Sequence, residues 1–563
     1  MNKKLLYGII LSAFLMAGCK KDFLNQPPLD QLTDQTYWTS ENNVRTFAYG
    51  FYAPYFVGYG SSYSGGVYFS RQTLNDDFAP AAPDPFPVNV PTSGGGWDFG
   101  MVRKENIFID RVKKVPMSQE AINHWVGVGR FFRGLEYAGL VNKFGDVPYY
   151  NHVLAENDTA DLYKPRDPRT LVMDSVLADF QYAAANVRIS DNTTGPKGLI
   201  VNRDVVLAFM SRVFLFEGTW QKYHNGKEEK ANEYLAAAKW AANEIMTGGS
   251  YSLGSNFRGL FSSEDLSGNP EMILYRVYES AMLTHTIMSY NNKSSQPGAS
   301  KNALESYLCS DGLPISLSPE YNGDTVFRQV LKNRDPRINE TFDSVIHLQG
   351  IVANYSTTGY SAHLFLNDAL KDGLEGSLDQ NVTDAPVIRL GEVLLNYAEA
   401  TAELGQLTQE DLDRSINLLR SRADVKIPPL QIIGEMPAVN GIVYDDPKRD
   451  PSVPSLIWEI RRERRVELIF QGFRLDDLRR WGKLQYTDTE ANSDINRGAW
   501  IKKSDYPKTT AKIEGGAAQG YIIASPNAKR TFVDPKVYLS PIPLDQITLY
   551  KDQGVILNQN PGW

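Results

Sequence analysis

Apolar positions recur at helical spacing along most of this chain. Ser40 reads as an N-cap, and Val44, Phe47, Ala48, Phe51 and Tyr55 fall on one face beyond it. Ala121, Trp125, Val128, Phe132 and Leu135 predict a helix over 117–141, stopped by Gly145 and Pro148. Asp167-Pro168 supplies a cap and an N1 proline for a helix whose apolar face is Met173, Val176, Leu177, Phe180, Ala184 and Val187. Asn202 opens another helix through Val206, Phe209, Val213 and Phe216. A partner over 228–246 turns Tyr234, Ala238 and Ala242 inward. The spacing predicts further helices over 390–404, 412–422 and 456–470.

Successive helix pairs with small residues at their crossings are the habit of tetratricopeptide-like repeats. The pairs keep no strict period, so the pattern predicts a mainly α fold: a tetratricopeptide-like helical-repeat scaffold interrupted by long irregular insertions. The insertions fall at 55–100, 280–319, 426–454 and 485–532. Loops of that length are usually functional or disordered. Disordered loops are poor in aromatics, whereas the first insertion carries ten, so it is expected to be ordered and to present rings.

The first residues change the picture. Lys3 and Lys4 precede a short apolar run, and Leu15-Met16-Ala17-Gly18-Cys19 ends it. The run is too short to span a bilayer. Small residues before a Cys are what a lipoprotein signal peptidase requires. Residues 1–18 therefore read as a lipoprotein signal peptide, Cys19 as the lipidation site, and 19–32 as a lipidated tether. A folded domain follows over 33–563, with an N-terminal part of about 33–280 and a C-terminal part of about 281–563. Lipid chains contribute about 0.8 kcal/mol per buried methylene, and several together anchor a protein without a membrane-spanning helix.

Composition narrows the function. The formal net charge is −8, and removal of Lys3 and Lys4 makes it more negative. That argues against nucleic acid, which wants basic stripes, and against docking on anionic lipid. With Cys19 lipidated, Cys309 is the one remaining cysteine, so no internal disulfide is available. The six His show no metal-ligand spacing. The chain has no His-Glu-x-x-His, Walker loop, Gly-x-Ser-x-Gly or Cys-x-x-Cys motif. Gly127-Val128-Gly129 lies mid-helix and reads as close helix packing. No metal, cofactor or catalytic residue is implied.

Carboxylate pairs matter because a glycosidase needs only two. Asp476-Asp477 sits among Arg474, Arg479 and Arg480, which would neutralise it. Asp76-Asp77 reads as a polar turn or a ligand hydrogen-bonding pair ahead of a catalytic one. The charged run 459–465 reads as an ion-paired scaffold helix in which Glu459 meets Arg462.

Several stretches then resemble one family. Cys19-Lys20-Lys21-Asp22-Phe23-Leu24, GRFFRGLEYAGLVNKFGDVPYY (129–150), Asp335-Pro336-Arg337, PVIRLGEVLLNYAEATAELG (386–405), INLLRSRADV (416–425), ERRVELIFQGFRLDDLRRWG (463–482), VYLSPIPLDQI (537–547) and NQNPGW (558–563) are similar to SusD/RagB outer-membrane nutrient-binding lipoproteins of Bacteroidetes. Gln471 and Trp563 depart from the usual Glu and Tyr. The resemblance implies an anchor in the outer membrane facing the exterior, no enzymatic activity, and a SusC-like TonB-dependent transporter as partner. It also implies a glycan cargo, with a peptide cargo as the alternative. A lipid-anchored glycosidase is the reading from another class. The family motifs mark no ligand residues. Binding is expected from the insertions, where aromatic faces and hydroxyl-bonding groups mix: Trp97, Tyr59, Tyr63, Tyr68, Asn75 and Asp77 in the first, and Tyr290, Asn291 and Asn292 in the second.

Overall fold

The computed structural model describes residues 37–60, 68, 74–155, 157–190, 197–532 and 535–563. Cys19, the leader, the tether and Tyr63 lie outside them. The fold is mainly helical. Its principal helices are α1 (Glu41–Tyr49), α2 (Gly100–Val112), α3 (Gln119–Phe144), α4 (Arg169–Asn186), α5 (Arg203–Trp220), α6 (Glu228–Thr247), α7 (Leu390–Glu403), α8 (Ser455–Leu468) and α9 (Arg474–Arg480). From α2 to α8 each packs on the next in this order.

The expected caps form at two helices. Ser40 Oγ accepts the N–H of Asn43, and Asn202 Oδ1 accepts that of Val205. At α4 the proline is the cap residue itself, and the helix starts at Arg169. Asp167 turns its carboxylate to the N–H of Tyr149, while Asp146 receives the N–H of Arg169. The stretch expected as one helix over 412–422 splits into Gln409–Asp413 and Ile416–Ser421. Ser415 takes non-helical angles between them and hydrogen-bonds the carbonyl of Asp411.

Close crossings need glycine. A Cβ on Gly129 would stand 2.7 Å from Cγ1 of Ile109, and one on Gly127 would stand 2.9 Å from Cγ2 of Val187. Phe108, Phe131, Phe132, Phe180 and Phe214 fill the space around them. A fully buried ring of this kind contributes about 1.5–3 kcal/mol.

The insertions are ordered by short antiparallel pairings. β1 (Phe78–Ala79) pairs with β3 (Gly298–Ala299), and β2 (Met272–Arg276) with β4 (Ala385–Arg389). β5 (Gln431–Ile433), β6 (Met436–Val439) and β7 (Ile442–Val443) form one small sheet; β8 (Arg497–Lys502) and β9 (Gln519–Ile523) form another. A second apolar core lies beneath the insertions and includes Tyr59, Tyr68, Phe78, Phe365 and Phe470. The described rings of the first insertion thus largely point inward, contrary to the expectation that the loop presents them, because burying them yields more than exposing them.

A buried ionic web ties Glu271 to residues far along the chain. Arg337 bonds Asp335 (2.6 Å), Glu463 (2.6 Å) and Glu467 (2.8 Å). Arg389 bonds Glu271 (2.7 Å) and Glu467 (2.8 Å), Arg422 bonds Glu271 (2.5 Å), and Arg420 bonds Glu463 (2.9 Å). All of these side chains are at most 2% exposed. Glu399 at α7 accepts two bonds from Arg480 and one from the indole of Trp481, which ties α9 down. Asp477 is neutralised by Arg464 and Arg480, Asp476 meets Arg479, and Arg474 reaches elsewhere.

Among the described residues no helix is long and apolar enough to cross a membrane, and no cluster of His, Cys, Asp and Glu is arranged to hold a metal.

Candidate functional site

Helical spacing builds the site. Trp458, Arg461, Arg462 and Arg465 stand three, four and seven residues apart, which sets them on one face of α8. That face borders a cleft of about 380 Å³, whose walls include Asp76, Asn302, Ser316, Asp446, Asp450 and Asn492. The cleft narrows into a pocket of about 50 Å³ between Trp458, Tyr486 and Trp481. Trp458 and Tyr486 are half-buried, so part of each ring faces the opening.

Hydrogen bonds hold both rings. The indole N–H of Trp458 donates to Asp446 at 3.3 Å, and Asp446 also accepts from Ser316 at 2.8 Å. The Tyr486 hydroxyl donates to Asp450 at 2.5 Å, and Lys483 donates to the same oxygen at 2.7 Å. Arg462 is fixed by Glu459 at 3.0 Å, as its spacing predicts, and by Asp446. Arg465 donates to Asp77 at 2.7 Å and to Asn302 at 2.8 Å. Arg474 grips Asp76 with two bonds of 2.6 and 2.7 Å.

These contacts decide the chemistry of the carboxylates. Burial would raise the Asp76 carboxyl, but the charges of Arg465 and Arg474 outweigh it and hold it at about 2. Burial pushes Asp77 up against the pull of Arg465, and the adjacent Asp76 charge adds to the rise. Asp77 sits behind Arg465, not in the cleft wall. Asp446 and Asp450 are both held below the usual carboxylate range, burial being outweighed by Arg462 at the first and by Lys483 and Tyr486 at the second. A glycosidase acid needs a raised carboxyl. Asp76, Asp446 and Asp450 are instead ionised acceptors, and with the amides and ring faces of the cleft they make a set suited to holding hydroxyls and C–H faces.

The residues expected from sequence lie in several places. Asn75 and Asp77 form a turn at the foot of the cleft: Asn75 Oδ1 accepts the N–H of Asp77 at 3.0 Å. Tyr59 is fully buried and donates to the carbonyl of Phe261 at 2.6 Å. Tyr68 donates to the carbonyl of Pro386 and borders a separate cleft of about 340 Å³. Trp97 is 8% exposed and lines a third cleft, of about 350 Å³, with Phe99, Tyr150 and Tyr550. Tyr290, Asn291 and Asn292 lie on the short helix Ile287–Lys293. There Asn291 donates to the carbonyl of Ile287 and Asn292 to that of Lys371. The structure therefore sets Asn75 and Asp77 on either side of Asp76, behind the cleft wall, and scatters the others. Sequence reasoning missed Trp458 and Tyr486. A usable signal was present: Arg461, Arg462, Arg464 and Arg465 outnumber the acids that one helix can set beside them.

Comparison with known proteins places the fold. Residues 346–563 match the model of the SusD family. The chain is 24% identical over 416 residues to SusD-like protein P38 of Formosa agariphila, covering 69% of this chain and 72% of that one. A SusD-like carbohydrate binding protein from Bacteroides fragilis superposes with a TM-score of 0.64 at 22% identity, covering 91% of this chain and 99% of the other. A laminarin binding SusD-like protein superposes with a TM-score of 0.55 at 19% identity, covering 93% and 100%. Residues 346–563 thus carry the sequence pattern of the SusD family, and more than nine-tenths of the chain shares the fold of SusD-like structures.

Proposed function

We propose that this protein binds an oligo- or polysaccharide at the α8 cleft and delivers it to a SusC-like TonB-dependent transporter, held at the outer face of the outer membrane by lipid on Cys19. The observation that carries the binding step is the pairing of two half-open rings, Trp458 and Tyr486, with an amide and carboxylate rim. Rings cover sugar C–H faces at about 0.5–1.5 kcal/mol each. With a few hydrogen bonds, that supports affinity between roughly millimolar and micromolar. Weak binding suits a carrier that must give its cargo up. The carbohydrate-binding and laminarin-binding relatives lend support by shared fold.

Affinity electrophoresis of wild type and Trp458→Ala against a panel of soluble glycans tests the reading. Retardation by at least one glycan, lost in the variant, is the expected outcome. Retention of a peptide panel with no glycan retarded would replace sugar by peptide as cargo. Hydrolysis of a retarded glycan would replace binding by catalysis.

A further inference from the structure

The narrow end of the cleft is walled by four guanidinium groups, those of Arg461, Arg462, Arg465 and Arg474, and no carboxylate lines it. Their partner acids stand away from its wall: Glu403, Glu459, Asp76, Asp77, and Asp446, with Asp76 and Asp446 on the adjoining cleft. Arginine stays charged at any working pH.

Compensation is thinnest at Arg461. It is 6% exposed, and its Nη2 donates to Glu403 at 3.1 Å. That same carboxylate accepts from Lys222 at 2.9 Å, so one negative charge serves two cations. The Nε–H of Arg461 has no acceptor. Two arginines of the buried web, Arg420 and Arg422, also keep an orphan N–H, but neither lines any of the clefts described above. Arg461 differs in lining the pocket, although its Nε–H is itself buried. Its guanidinium is also stacked 4.4 Å from the ring of Trp481, which leaves its planar fork preformed.

We infer that this pocket receives the negatively charged substituent of an acidic sugar, a carboxylate or a sulfate ester, while Trp458 and Tyr486 hold the sugar rings beside it. The inference rests on the glycan reading above and narrows its substrate class. A volume of about 50 Å³ admits one such group or the few waters it displaces. Guanidinium forks match both anions in geometry, and charge-assisted bonds are about twice as strong as neutral ones.

Titration calorimetry with three oligosaccharides of equal length decides it: a neutral glucan, an oligo-glucuronate and a sulfated glucan. An acidic probe is expected to bind roughly tenfold tighter than the neutral one at low salt. High salt should close that gap, and which acidic probe gains distinguishes carboxylate from sulfate. In Arg461→Gln the favoured probe should fall to the affinity of the neutral one. Equal affinities for all three probes in wild type overturn the inference and leave the glycan reading standing. Should none of the three bind, the glycan panel above decides the glycan reading and inorganic sulfate settles the pocket. Protection of wild type against heat, absent in Arg461→Gln, keeps the anion site; no protection removes it. The salt comparison on wild type decides even if the variant does not fold.

Discussion

Helix α8 turns Ile460, Glu463 and Glu467 one way and Trp458, Arg461, Arg462 and Arg465 the other. On the first side every glutamate oxygen is taken: Glu467 accepts from Arg389 and Arg422 on one oxygen and from Arg337 on the other. Those groups are dry, and each opposite charge is matched at hydrogen-bond distance. On the second side the pairs sit at the edge of a cleft and the rings are half-open. The same chemistry serves two ends. Where arginine–carboxylate pairs are sealed, removing one partner strands a charge and threatens the fold. Where they line open space, their positive charge borders a space that something can enter.

Four measurements press on that contrast. The largest effect is expected from Glu467→Gln, which leaves three buried arginines short of a charge. Denaturant unfolding should show a loss of about 3–5 kcal/mol; a loss under about 1 kcal/mol would mean the web contributes little to the fold. Acid comes next. Glu467 and Glu399 are held at about 2 by their arginines, against an ordinary 4.5, as is Asp76 against 3.8. Because these carboxyls are depressed in the folded state, their stabilisation is complete above about pH 4.5 and is lost as pH falls toward 2. Unfolding midpoints should drop steeply as pH falls from about 4.5 toward 2; midpoints unchanged over that range would contradict this. Third, removing both rings with Trp458→Ala and Tyr486→Ala should weaken glycan binding by about 1–3 kcal/mol, or up to about a hundredfold. An unchanged dissociation constant would place the sugar elsewhere. Smallest is Lys448→Ala at the rim, where the partner Glu305 lies 3.0 Å away and the lysine is 55% exposed. Stability should shift by no more than about 0.5 kcal/mol.

The helical frame was largely legible because its periodicity and caps are local properties. Ser40 and Asn202 announce their helices, and Gly127 and Gly129 mark a tight crossing. The departures at Asp167 and Ser415 arise where a side chain found a distant or competing backbone partner. The recurring motifs around Asp335-Pro336-Arg337 and 463–482 could be matched but not explained until Glu271, Arg389 and Arg422 came beside them. The site was far less legible. A ring-rich insertion suggests a binding loop, yet Tyr59 packs inward and Trp97 lines a different cleft from Trp458, since periodicity cannot tell which side of an irregular segment faces water. Trp458 was hidden inside a charged helix, and Tyr486 lies in a short turn with no pattern at all.

The web also bears on how this molecule can be taken apart. The stretch matched by the family model begins at 346, but Glu271, Asp335 and Arg337 precede it. Cut there, Arg389, Arg420 and Arg422 would face only Glu463 and Glu467, and β4 would lose β2 as its pairing strand. The segment easiest to recognise therefore leaves behind acids and a strand that its own buried arginines and β4 engage.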